Sequence, residues 1–273
     1  MCRLFAYVSP DTSTADRELG ADGIESFLSL ARLHGDGWGW AGVAHLGDVP
    51  EVRKSPLSAA EDPDFLRAIG TAGHAAMMHL RWATLGLPVD RRNAHPFRSG
   101  DISFEHNGSL KPIDRVRAML SAEALARMTG DTDSEMYFAL IQEKLAEGTR
   151  LPEATAQVVR RLREAFPLSS LNAILLDRTQ LVVVHASARS VLPEDDLEEI
   201  AQLGGLPDEH NEDYFALRWK RSPDGTVLIS STGVAGIGWE TLPPESVTTV
   251  QLDDGTMRTE PLGTGPIGAA VTD

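Results

Sequence analysis

The chain of 273 residues contains one cysteine, Cys2. A single thiol excludes an intramolecular disulfide and any multi-cysteine metal site, so whatever Cys2 does it does as a thiol or thiolate. Positive charge is also scarce: 25 Lys and Arg stand against 40 Asp and Glu, a formal net charge of −15. That balance argues against partners such as a nucleic-acid backbone or an anionic membrane surface, and fits a solvated acidic exterior. No apolar run reaches the length that spans a bilayer, and no basic stretch followed by an apolar one opens the chain. The expectation is a cytoplasmic protein without a secretory signal.

Internal repeats, low-complexity tracts and linker-like stretches are missing too, which points to a single domain over residues 1–273. A hydrophobic fraction of 42% and a charged fraction of 24% are ordinary for a globular chain with a substantial core. Residues Arg3 to Val8 are nearly continuously apolar, as in a strand covered on both faces. Ser13 or Thr14 is placed to cap a helix reaching about Leu33, with Gly35 as its terminator. A glycine-rich entry into a strand is predicted in "HGDGWGWAGVAHL", and strands in "HAAMMHLRW" and "ISFEHNG", with a short helix near "DPDFLRAI". Between Pro112 and Phe166 the apolar residues repeat at helical spacing through "PIDRVRAMLSAEALARM", "DSEMYFALIQEKLAEG" and "LPEATAQVVRRLREAF". Strands return in "LNAILLDRTQLVVVHAS", "DYFALRWKR", "TVLISS" and the Asp-Gly hairpin "VTTVQLDDGTMRTE". Strands, then helices, then strands without regular alternation predict a layered α+β fold.

Several short segments could carry chemistry. If Met1 is removed, Cys2 gains a free α-amino group whose unperturbed pKa of about 8 suits a base, on the same residue as the thiol. The competing reading is a small buried hydrophobe in a strand. In "HLRWAT", an arginine at a strand end beside a tryptophan suits bidentate recognition of a carboxylate, although a surface ion pair next to a core tryptophan reads equally well. "EHNGSL" places an asparagine amide beside a glycine N–H, two donors able to converge on an oxyanion, or simply a turn. "GDTDSE" opens a helix, where the acidic residues and Thr132 serve capping and the macrodipole, or where one carboxylate faces inward to hold a substrate ammonium. His34, His74, His79, His95 and His106 form neither an HExxH nor a His-x-His pair, so no metal and no other cofactor is expected, and "NAHPF" reads as a loop.

Taken together and in order, Cys2, "DGWG", "HLRWAT", "NAHPF", "HNGSL" and "DTDSE" resemble the class II glutamine amidotransferases, which belong to the N-terminal nucleophile hydrolases. The resemblance implies a four-layer αββα sandwich. It also implies that Cys2 attacks the side-chain amide of glutamine or of a γ-glutamyl amide, with water resolving the thioester. On the matching positions, Asn107 and Gly108 would form the oxyanion hole. Arg81, with Trp82 and Thr84 beside it, would grip the substrate α-carboxylate, and Asp133 the α-ammonium. Many members that feed ammonia to a synthetase continue "RWAT" with histidine and glycine, whereas this chain has Leu85 before Gly86. They also carry a second domain for which these 273 residues show no phosphate-binding glycine loop or sugar-isomerase-like half. The chain therefore looks more like the stand-alone branch, one type of which hydrolyses a γ-glutamyl conjugate in ergothioneine biosynthesis. Delivery of ammonia to a separate synthetase partner and a non-catalytic amino-acid-binding descendant are the alternatives, and association with a second copy of the chain stays open.

Overall fold

The computed structural model describes residues 2–82, 89–192, 194–203 and 213–263. The first strand, β1 (Arg3–Ser13), is followed by α1 (Ala15–Leu30), β2 (Trp38–Val43), β3 (Glu51–Ser55), α2 (Pro63–Ile69) and β4 (Gly73–Leu80). Strands β5 (Phe97–Ser99) and β6 (Ile102–Asn107) lead into helices α3 (Ile113–Arg117), α4 (Ala122–Arg127), α5 (Asp133–Ala146) and α6 (Leu151–Ala165). Next come β7 (Asn172–Leu176), β8 (Gln180–His185) and α7 (Glu194–Leu203). Strands β9 (Leu217–Arg221), β10 (Val227–Ser231), β11 (Glu240–Thr241), β12 (Ser246–Gln251) and β13 (Met257–Pro261) follow.

The strands form two antiparallel sheets, ordered β11-β9-β10-β1-β4-β2-β3 and β13-β12-β8-β7-β6-β5. Strand periodicity explains how they stack, because successive side chains point to opposite faces. Leu4, Ala6 and Val8 of β1 join Ile174, Leu176, Leu181 and Val183 of β7 and β8 in a core between the sheets. Phe5 and Tyr7 point the other way and pack with Phe27 and Leu30 of α1 and Phe65 and Ile69 of α2. On the far side, Leu175, Val182 and Val184 pack with Met136, Leu140, Val158 and Leu162 of α5 and α6. The result is an α+β, four-layer αββα sandwich, and Leu4–Val8 of β1, Ala173–Leu176 of β7 and Leu181–Val184 of β8 are continuously apolar because both of their faces are covered. Among the described residues no helix is long and apolar enough to cross a membrane.

Three local departures from the sequence pattern have simple causes. Helix α1 ends at Leu30, and the apolar spacing as far as Leu33 is taken up by tight turns in which Ala31, Arg32 and Leu33 bond back to Leu28, Ser29 and Leu30. Gly35 terminates nothing. The segment "PIDRVRAMLSAEALARM" is two helices, because Ser121 acts as an N-cap, its hydroxyl accepting from the Ala124 N–H at 3.1 Å. In "DYFALRWKR" only Leu217–Arg221 is strand, whereas Tyr214 and Phe215 pack with Leu33, Trp82 and Ile200.

Candidate active site

Cys2 lies at the head of β1 and is 5% exposed. Its backbone N–H donates to Asn107 Oδ1 at 2.9 Å, and its thiol donates to the Trp82 carbonyl at 3.9 Å. Asn107 ends β6 in one sheet, and Trp82 stands two residues beyond β4 in the other. The thiol therefore sits where the two sheets meet at one end of the sandwich. Its partner Asn107 is fully buried, and with Oδ1 engaged by Cys2 its Nδ2 has no hydrogen-bond partner among the described residues. A buried amide donor without an acceptor is costly unless something else supplies one.

Gly108 follows in a place that admits no side chain. A Cβ there would lie 1.9 Å from the Ser170 carbonyl oxygen and 2.6 Å from His106 Nε2. Gly39 of "DGWG" is similarly confined, since a Cβ would lie 2.0 Å from the His95 carbonyl oxygen. These two glycines let separate backbones close on the site.

Arg81 is 4% exposed and fixed through its backbone, donating to Gly37 O at 2.9 Å and accepting from Asp36 N at 3.0 Å. Its guanidinium also donates to Asp36 O at 3.4 Å. Asp133 is 6% exposed and accepts from the Leu110 N–H at 2.6 Å and the Ser134 N–H at 2.9 Å. Helix capping itself falls to Thr132, whose hydroxyl accepts from Glu135 N at 3.1 Å, so Asp133 is released to tie the loop after Gly108 to α5. Thr84 lies outside the described residues, as do Leu85 and Gly86.

All six sequence segments are drawn into one network. His106 joins "HNGSL" to "DTDSE" through Ser134 Oγ at 2.9 Å, and the Asp131 N–H donates to Asn93 Oδ1 of "NAHPF" at 3.1 Å. His95 of "NAHPF" stacks on His79, with ring centroids 4.0 Å apart. His79 Nε2 is 3.3 Å from the His106 carbonyl oxygen across the sheets. Burial holds these rings neutral: it lowers His79 to about 3 and takes His95 and His106 below the usual histidine range. The nitrogens of His106 face Ser134 and Ser170, and those of His95 have no partner among the described residues, so none of the three rings is hydrogen-bonded to the Cys2 thiol.

Residues that the sequence reading passed over also build the site. Arg3 is fully buried, its Nε donating to the Cys2 carbonyl at 2.8 Å while its other nitrogens reach Thr232 and Tyr214. The signal was present, a charged residue at the head of an otherwise apolar strand. Lys54 clamps the "NAHPF" loop by donating to Ala94 O at 2.7 Å and Pro96 O at 3.3 Å. Burial lowers its ammonium to about 8. Nothing in its neighbourhood in sequence signals this.

A four-layer sandwich with a cysteine at the head of an inner strand is the architecture of the N-terminal nucleophile hydrolases. Residues 1–200 match the family model described as glutamine amidotransferases class-II, and the chain belongs to that family of enzymes. It is 32% identical over 168 residues to the glutamine–fructose-6-phosphate aminotransferase (isomerizing) of Vibrio cholerae, covering 60% of this chain and 26% of that protein. The protein of the same name from Bradyrhizobium diazoefficiens is 34% identical over 144 residues, 52% of this chain and 23% of that one. The chain thus spans about a quarter of the length of these curated relatives. Among solved structures, a glutamine aminotransferase class-II domain protein from Silicibacter pomeroyi superposes with a TM-score of 0.64 at 17% identity, over 96% of this chain and 100% of that one. The glutamine phosphoribosylpyrophosphate amidotransferase of B. subtilis gives 0.64 at 17% identity, over 97% of this chain and 50% of that one. At such identities these two support the shared fold alone.

Proposed function

We propose that the chain is an amidohydrolase acting on glutamine or a γ-glutamyl amide through Cys2 as an N-terminal nucleophile. The observation that carries this reading is the double use of Asn107. Its Oδ1 holds the Cys2 nitrogen at 2.9 Å, and that fixes a buried Nδ2 donor beside the thiol with no other acceptor among the described residues. Such a donor is preorganised for the negative charge that develops on an amide oxygen when a thiolate attacks. With Met1 removed, the α-amine takes the thiol proton and Sγ attacks the amide carbon. The tetrahedral oxyanion rests on Asn107 Nδ2 and the Gly108 N–H. Collapse expels the amine, which takes its proton from the α-ammonium, and leaves a γ-glutamyl thioester that water hydrolyses to glutamate. Arg81 and Asp133 recognise the amino-acid head of the substrate, with Trp82 and Thr84 beside Arg81. The neutral histidines, none of them bonded to the thiol, support an α-amine base over an imidazole base.

The reaction is placed in one glutamine amidotransferase type-2 domain of the cytoplasm, spanning residues 1–273 and needing no metal or other cofactor. A second reading, delivery of ammonia to a separate synthetase partner, is favoured by the aminotransferase relatives that this chain matches over a quarter of their length. A screen of γ-glutamyl amides for glutamate release, with free glutamine as reference, separates the two. Faster release from a substituted amide supports the hydrolase. Turnover confined to glutamine and stimulated by a co-purifying synthetase supports ammonia delivery, and no release from any amide contradicts both.

A further inference from the structure

Cys2 stands where the sheet runs out. Pairing of β1 with β4 begins at Arg3, opposite Leu80, and pairing with β10 begins at Phe5, opposite Ser230. Toward the terminus, side chains take over from the ladder. The Leu4 N–H donates to Ser231 Oγ at 3.0 Å, and that hydroxyl donates to the Leu4 carbonyl at 3.2 Å. Carried on by two residues, the register sets Arg3 opposite Thr232, and there a guanidinium replaces backbone. Arg3 Nε donates to the Cys2 carbonyl at 2.8 Å. One terminal nitrogen donates to Thr232 O at 3.4 Å and Oγ1 at 3.2 Å, and the other to Tyr214 O at 3.1 Å. The Arg3 Cζ also lies 4.0 Å from the centre of the Tyr214 ring.

The reaction proposed above gives Arg3 no part, and stability does not account for it. The side chain is fully buried, and its acceptors are three carbonyls and a hydroxyl, with no carboxylate partner among the described residues. Removing a cation from water without a counter-ion is costly, and a well-packed apolar side chain is often the more stable occupant of such a place. The geometry gives the cation another use. A chain end frays unless it is tied down. Cys2 is tied on both sides of its Cα, its nitrogen to Asn107 Oδ1 at 2.9 Å and its carbonyl to Arg3. With both ends held, χ1 is the torsion left to aim Sγ, and its wells are few. Side chains alternate along a strand, so Arg3 shares the helix-covered face of Phe5 and Tyr7. It grips Cys2 from that side, while Asn107 holds it from the opposite sheet.

We propose that Arg3 is a positioning residue for the nucleophile: its guanidinium stands in for the strand partner that Cys2 lacks, fixes the Cys2 carbonyl, and anchors that grip on Thr232 and Tyr214. The inference rests on the reading of Cys2 as the nucleophile. Only a planar fork serves three directions at once, which the point charge of a lysine does not.

The test compares Arg3→Lys and Thr232→Val with the wild-type protein in glutamate release from glutamine. Intact mass first confirms that each chain has lost Met1. Rates are divided by the number of sites that an electrophilic glutamine analogue labels at completion, so misfolded protein is not counted. Arg3→Lys is expected to lower kcat per labelled site by about tenfold or more, within the range of a misplaced reacting group, with KM near the wild-type value. Thr232→Val keeps the branched shape and removes one acceptor of the guanidinium, and kcat is expected to fall about twofold or more, the scale of one hydrogen bond. This second variant carries the test if Arg3→Lys does not fold. An unchanged kcat per labelled site in the variants that fold, or a raised KM with kcat unchanged, overturns the role of Arg3 while leaving Cys2 in place. A wild-type protein that neither labels nor releases glutamate overturns the nucleophile reading and this inference with it.

Discussion

Asn107 uses the two ends of its side chain differently, and that division carries the account at the level of single residues. Its oxygen accepts from Cys2, and its nitrogen, which has no partner among the described residues, is the donor proposed for the oxyanion. Asn107→Ala removes the acceptor and the donor together, and kcat for glutamate release is expected to fall by about 10²-fold or more, the scale of losing one oxyanion donor. Gly108 has a different kind of necessity. A Cβ placed 1.9 Å from the Ser170 carbonyl oxygen must displace backbone on one side or the other. Gly108→Ala is therefore expected to cost about 1–3 kcal/mol in urea unfolding, as overpacking does, along with activity. Both residues stood out in the sequence as an Asn-Gly pair, but a turn reads the same way there. The contact with Cys2, 105 positions away, is what distinguishes the two readings.

Among the secondary-structure elements, β1 was the most legible and the inter-sheet polar residues the least. Continuous apolarity from Leu4 to Val8 follows from burial on both faces, so the strand and its central place could be read directly. Glu105, His79 and His95 break the apolar pattern of the inner layer, and a one-dimensional pattern cannot say that three separate segments meet there. Helix α5 shows a similar split. Its start, Thr132 with the acidic residues, was readable as capping, but only the fold reveals that Asp133 is spared for Leu110 while Thr132 caps. Thr132→Ala is expected to destabilise the protein by about 1 kcal/mol. Because the helix start also positions Asp133, KM for the amide substrate should rise more than kcat falls. A stability loss with unchanged KM would separate Asp133 from substrate binding.

At the scale of the whole molecule, the neutral buried histidines make folding depend on pH. His79 has a folded value of about 3 against 6.5 for an unperturbed ring, and His95 and His106 are lowered as well. Below about 6.5 the unfolded chain binds protons that the folded chain refuses, so this stability is complete above that value and is lost as the pH falls toward the folded values. Each such histidine contributes a slope of roughly 1.4 kcal/mol per pH unit in that window. Glu105 acts in the opposite sense. Its raised folded value gives stability that is full below the unfolded value of 4.5 and is lost as the pH rises through the folded value. The histidines outnumber it, so urea midpoints are expected to fall on acidification from about pH 6.5 to about pH 4.5. The central claim concerns the other end of the chain, where thiol and base share Cys2. Intact-mass analysis of protein treated with an electrophilic glutamine analogue tests it most directly, on samples with Met1 retained and with Met1 removed. The account predicts one adduct, on Cys2, and glutamate release only in the chain that has lost Met1. Equal labelling and equal turnover with Met1 retained would contradict it.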